Sequence, residues 1–177
     1  PALKQLSDGQ HRSFKDNLLA LINMDARVDL FEWSLQKILF SHLEGHFQKT
    51  PLIAARHADS GQLAREFGLV LSVIAYAGAA DHSNAQSAFD ASAQALTAKG
   101  LALLAKDEIR MADLDQALGK LNQLAPRAKS RLLRACVIST WHDQRATPAE
   151  VELLRAFASI LDCPMPADMG LGVGHAA

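Results

Sequence analysis

The chain has little of what several kinds of function require. Its 177 residues include two cysteines, Cys136 and Cys163, too few and too far apart for a disulfide scaffold. With no secretory leader at its start, this cysteine usage points to a reducing, cytoplasmic compartment. There is no excess of positive charge: 18 basic residues stand against 19 acidic ones, for a net charge of −1. A nucleic-acid partner is therefore not expected. No glycine-rich phosphate loop, G-x-S-x-G elbow or paired-cysteine zinc signature is present, so the chemistries those motifs support are not expected either. The most apolar run, FGLVLSVIAYAGAA, falls short of the ~20 residues needed to span a bilayer. No stretch alternates apolar and polar residues with β-branched enrichment, so no sheet is expected. The chain opens at Pro1, which implies either a removed initiator methionine or a piece of a longer protein.

Apolar residues make up 49% of the chain, enough at this length to bury one substantial core. They are arranged in a repeat. Residues 6–47, LSDGQHRSFKDNLLALINMDARVDLFEWSLQKILFSHLEGHF, return in altered form 118 positions on. Asp25 falls on Asp143, Arg27 on Arg145, Glu32 on Glu150 and Leu35 on Leu153. Each copy has an apolar-periodic segment, an Asp-x-Arg turn and a second apolar-periodic segment opened by a cap. The copies read as pseudo-equivalent helical hairpins at about 7–47 and 125–162.

Cap chemistry marks the helix starts. Ser7 or Asp8 opens the first helix, and Asp29 with Glu32 three residues later forms a capping box for the second. Phe31, Leu35, Ile38, Leu39 and Leu43 form that helix's expected buried stripe, with Trp33 and Phe40 off it. Residues 45–61 read as a loop. Residues 62–80 read as the central helix of the bundle. The cluster Asp81-His82-Ser83-Asn84 caps a weaker amphipathic helix that ends at Lys99-Gly100. A linker or short helix follows over 101–108, then a helix marked by Met111, Leu114, Leu118, Leu121 and Leu124. Thr147-Pro148-Ala149-Glu150 combines a Thr cap, Pro in the first helical position and Glu in the third. The product is an all-α bundle of about seven helices in one domain, 1–165, with a loose tail at 166–177.

Three groups of residues are candidates for chemistry. His42 and His46, four apart on a helix, face one way. However, the position after His42 holds Leu43, where a zinc peptidase motif needs its glutamate, so that site fails; His57 adds a third histidine without a motif. The turn carboxylates Asp25, Asp29, Glu32, Asp143 and Glu150 have two readings: a divalent-cation site if the two turns meet, or turn and cap residues. Cys136 lies on an apolar stripe and reads as core. Trp33 and Phe40 widen the apolar surface of their helix into a candidate contact for a partner.

The opening ALKQLSDGQHRSFKDNLLALINMDARVDLFEWSLQKIL and the ending LLRAFASILDCPMP resemble the C-terminal regions of bacterial membrane-bound M48-family zinc metallopeptidases. They also resemble the TerB helical fold, with its two acidic-turn hairpins. The resemblance covers both ends of the chain and leaves about 48–121 without a counterpart. It implies a non-catalytic interaction or regulatory domain at the cytosolic face of the inner membrane, whose partner is another protein or the rest of its own polypeptide. No cofactor is required of the domain itself. An optional divalent cation would sit among the same five carboxylates, and zinc would belong only to an upstream peptidase segment.

Overall fold

A computed structural model describes residues 7, 9, 10, 12–14, 16, 17, 30–47, 63–96 and 100–165. Within 30–47, the side chains of 31 and 40–47 are outside the description. Residues 9, 10, 12–14, 16 and 17 are helical, and the cap predicted at this end is present. Ser7 N donates to Gln10 Oε1 at 3.0 Å, while Gln10 N donates to Ser7 Oγ at 3.4 Å. This is the reciprocal arrangement of a capping box, with Gln in the Glu position.

Six longer helices follow: α1 (Leu30–Phe47), α2 (Ala64–Gly78), α3 (His82–Ala95), α4 (Met111–Leu121), α5 (Pro126–Thr140) and α6 (Pro148–Ile160). A 3-10 turn, Lys106–Glu108, precedes α4. Among the described residues there is no strand; the protein is all-α, as its patterning predicts.

The bundle is assembled around α2. Residues from Phe67 to Ala75 are buried without interruption, which requires neighbours on every side of the helix. α2 meets α3, α4, α5 and α6, so the apolar run too short for a membrane is the hub of the core. The stretch 101–105 is strapped to it. Ser72 Oγ donates to Gly68 O at 2.7 Å and accepts from Leu104 N at 3.0 Å, and Tyr76 Oη donates to Leu104 O at 3.1 Å.

The helix ends follow local chemistry. Asp81 caps α3 by accepting from Asn84 N at 2.8 Å. α3 ends at Ala95, earlier than the Lys99-Gly100 signal suggests. α4 ends at Leu121, and Leu124, expected on that helix, is buried in the connection to α5. Pro126 opens α5. α6 carries the complete Thr147–Glu150 capping box and ends at Ile160, two residues before Asp162 enters the left-handed region at φ 50°.

α1 lies chiefly on α6, so the second helices of the two hairpins pack on each other. Their faces are not equivalent. Leu35, expected on the buried stripe, is 45% exposed, while its counterpart Leu153 is fully buried. The face of α1 turned to the core carries Trp33 and Ser34 instead. Trp33 is 2% exposed, which corrects its reading as a partner-contact residue: its ring belongs to the core. It meets Phe157 edge-on with centroids 6.2 Å apart, a favoured aromatic geometry. Its indole N–H donates to Asp115 Oδ1 at 3.0 Å. Lys37 Nζ pairs with the same oxygen at 2.9 Å and stands 5.7 Å from the Trp33 ring centroid. Satisfying the indole from α4 is what allows so large an amphipathic side chain to be buried. The Phe40 side chain lies outside the described residues.

Candidate functional site

The recess at the turn of the second hairpin gathers both second-copy acids, Asp143 and Glu150. It has a volume of about 170 Å³ and lies between the end of α2, the first turns of α3 and the α5–α6 connection. Ala75, Gly78 and Ala79 form one wall, Asn84 and Ser87 a second, and Ser139, His142, Asp143 and Glu150 the third.

Local sequence sets each of the acids. After α5 the chain turns through Trp141 to Gln144, where Gln144 adopts φ 64°. Asp143 Oδ1 accepts from Arg145 N at 3.0 Å, a short side-chain loop of the kind Asp favours in turns. Glu150 Oε2 accepts from Thr147 N and from Thr147 Oγ1, both at 2.8 Å. Glu150 N donates back to Thr147 Oγ1 at 3.3 Å. The cap reading of these two residues is therefore realised in the structure.

Glu150 is nevertheless unusual for a cap, because it is 4% exposed. Burial raises its pKa above the ordinary glutamate value, and the negative charge of Asp143 adds to the rise; the two Thr147 hydrogen bonds oppose it. Its carboxylate lies against the backbone of α2: a Cβ placed on Gly78 would stand 2.0 Å from Glu150 Oε1. Glycine at 78 is what lets the end of α2 approach the capping box.

Where α5 gives way to the turn, three successive residues have buried polar atoms with no hydrogen-bond partner among the described residues: Ser139 Oγ, Thr140 Oγ1 and Trp141 Nε1. Ser139 lines the recess. Buried polar atoms of this kind are uncommon in native structures.

Of the other predicted carboxylate positions, the structure describes the Glu32 side chain, which does not line the recess. Glu32, the counterpart of Glu150, is exposed on α1. Asp25, Asp29 and His57 lie outside the described residues, as do the side chains of His42 and His46. Among the described residues no group of three or more His, Cys, Asp or Glu side chains is placed to hold a metal ion. Cys136 is fully buried and its thiol is pushed up to about 12 by burial, so it stays protonated and inert, as its place on an apolar stripe predicts.

Sequence reasoning found Asp143 and Glu150 and missed Gly78, Asn84, Ser87, Ser139 and His142. These reach the recess only through tertiary packing. The one local signal was a glycine ending an otherwise continuous apolar helix. The recess offers carboxylates and hydrogen-bonding groups without a nucleophile held by a base, an arrangement suited to holding a group. No family model, curated protein or solved structure matches this chain.

Proposed function

We propose that this chain is a non-catalytic helical interaction and regulatory domain, the cytosolic C-terminal part of a membrane zinc metallopeptidase. The observation that carries the reading is the use of the second-hairpin acids. Asp143 and Glu150 hold backbone amides of their own turn and cap, so they fix the shape of one wall of the recess. Such a wall suits recognition of another protein segment, with catalytic zinc supplied by a preceding peptidase segment. The M48-like opening and ending of the chain support the same reading, and so does the TerB-like pattern of paired acidic-turn hairpins. No helix among the described residues is long and apolar enough to cross a membrane, so in this reading the span lies elsewhere in the polypeptide.

The test is an immunoblot of fractionated source cells with an antibody raised against this chain. The expected band lies in the membrane fraction and is several times heavier than 19.1 kDa. A soluble band at 19.1 kDa with no heavier species overturns the reading.

A further inference from the structure

The charge of this molecule is unevenly distributed. Residues 116–142 hold Lys120, Arg127, Lys129, Arg131 and Arg134 and not one acidic residue. The whole chain has a net charge of −1, so the remainder is net negative. Four of the five basic residues lie on α5, which has no acid of its own. Two of the five have partners in the structure: Lys120 pairs with Glu66 at 2.6 Å, and Lys129 donates to Asn122 Oδ1 at 2.6 Å. Arg127, Arg131 and Arg134 are exposed and make no ion pair among the described residues. At 100° per residue they fall within an arc of about 60°, over about 10 Å of helix. The opposite face of α5, carrying Leu132, Leu133 and Cys136, is fixed in the core. Ser130 flanks the stripe and reaches Cys163 Sγ at 3.9 Å, which places exposed Asp162, one residue before Cys163, on that side.

We infer that the outer face of α5 is a docking surface for an anionic phospholipid bilayer, with Arg127, Arg131 and Arg134 as its contacts. This rests on the appended-domain reading for the presence of a membrane nearby. The charge distribution favours a bilayer over a nucleic acid. A plane of negative charge meets the exposed arginine face of α5, while the chain as a whole carries a net charge of −1. A nucleic-acid interface normally belongs to a domain that is basic as a whole. Because the apolar side of α5 is committed to the core, the helix adheres to headgroups without inserting. Contact is therefore electrostatic, reversible and screened by salt. Each arginine close to an anionic leaflet contributes a factor of about five in partitioning, so three together contribute on the order of a hundredfold. That is weak for a free domain and sufficient for one tethered beside the surface, where its effective concentration is high.

The test is co-sedimentation of the 177-residue chain with vesicles of phosphatidylcholine alone or mixed with phosphatidylglycerol, at low and high salt. The expected result is binding to the mixed vesicles only, lost at high salt. R127Q/R131Q/R134Q should weaken it on the order of a hundredfold with an unchanged melting curve, and the matching triple Arg→Lys variant should retain it. No sedimentation of the unmodified chain at low salt, or equal sedimentation of the Gln variant, overturns the proposal. So does binding to a duplex oligonucleotide with no binding to vesicles. The two readings fail separately. A soluble 19.1 kDa species that binds the mixed vesicles defeats only the appended-domain reading. A heavier membrane species whose isolated chain ignores them defeats only this one.

Discussion

Replacing Gly78 with alanine tests the contact on which the recess depends. Gly78 is the last residue of α2 and its φ is not positive, so the backbone accepts an L side chain. On propensity alone, alanine gains up to about 1 kcal/mol in a helix. The new methyl, however, would lie 2.0 Å from Glu150 Oε1 and 2.4 Å from its Cδ. The carboxylate is the end of a flexible side chain, yet it is buried and held by Thr147 N and Oγ1. Moving it forfeits a capping box, about 1 kcal/mol, and leaves a buried charged acceptor poorly satisfied, a further 1–3 kcal/mol or so. The loss exceeds the gain, so Gly78→Ala should destabilise by about 1–3 kcal/mol. In a Glu150→Ala background the obstacle is gone, and the same substitution should be neutral or stabilising by up to about 1 kcal/mol. Urea denaturation of the four proteins gives the coupling, expected near 2 kcal/mol. A Gly78→Ala effect that is neutral or stabilising in the unmodified chain, or the same in both backgrounds, refutes the argument.

Three further outcomes follow from the same packing. Glu150 has a pKa raised by burial, so its contribution to stability is complete below the ordinary value of 4.5 and declines as pH rises through the higher folded value. Glu150→Gln keeps an acceptor for the cap; denaturation across pH should show it matching the parent in acid and surpassing it at neutral pH, and identical pH profiles would contradict this. Trp33→Ala should cost about 3–5 kcal/mol and lower the melting temperature by about 10 °C or more, whereas a change under ~1 kcal/mol, within the range of a surface substitution, would return Trp33 to the surface. Native alkylation with iodoacetamide at pH 8 should label Cys163 and spare Cys136, with both labelled after denaturation; mass spectrometry reads the sites, and rapid native labelling of Cys136 would contradict its burial.

The parts of the fold legible in the sequence are those fixed within a few residues. Thr147-Pro148-Ala149-Glu150 starts a helix because cap, proline and glutamate act locally, and Asp81 works the same way. The continuous apolar run became α2 because nothing but a central position satisfies it. The buried face of α1 was not legible. That helix is apolar on several sides, so periodicity does not choose between Leu35 and Trp33. The choice is made by Asp115, 82 positions from Trp33, which supplies a partner for the indole. The recess was half legible: its acids follow from turn chemistry, while Gly78 and Ser139 are joined to them only by packing. The arginine face of α5 was concealed by a net charge near zero, a sum over opposing regions.

The side-chain clamp on Leu104 also governs how the chain tolerates changes in length. Both backbone groups of that residue are held by α2, through Ser72 and Tyr76, so one peptide position is indexed to the central helix. Residues added between α3 and the strapped segment lengthen a connection, at an entropic cost that grows only slowly with length. Residues added between Leu104 and Met111 instead rotate or slide α4 against a fixed point, carrying Asp115 away from Trp33 and Lys37. Length variation is therefore permitted before the clamp and restricted after it, and one serine hydroxyl marks the boundary.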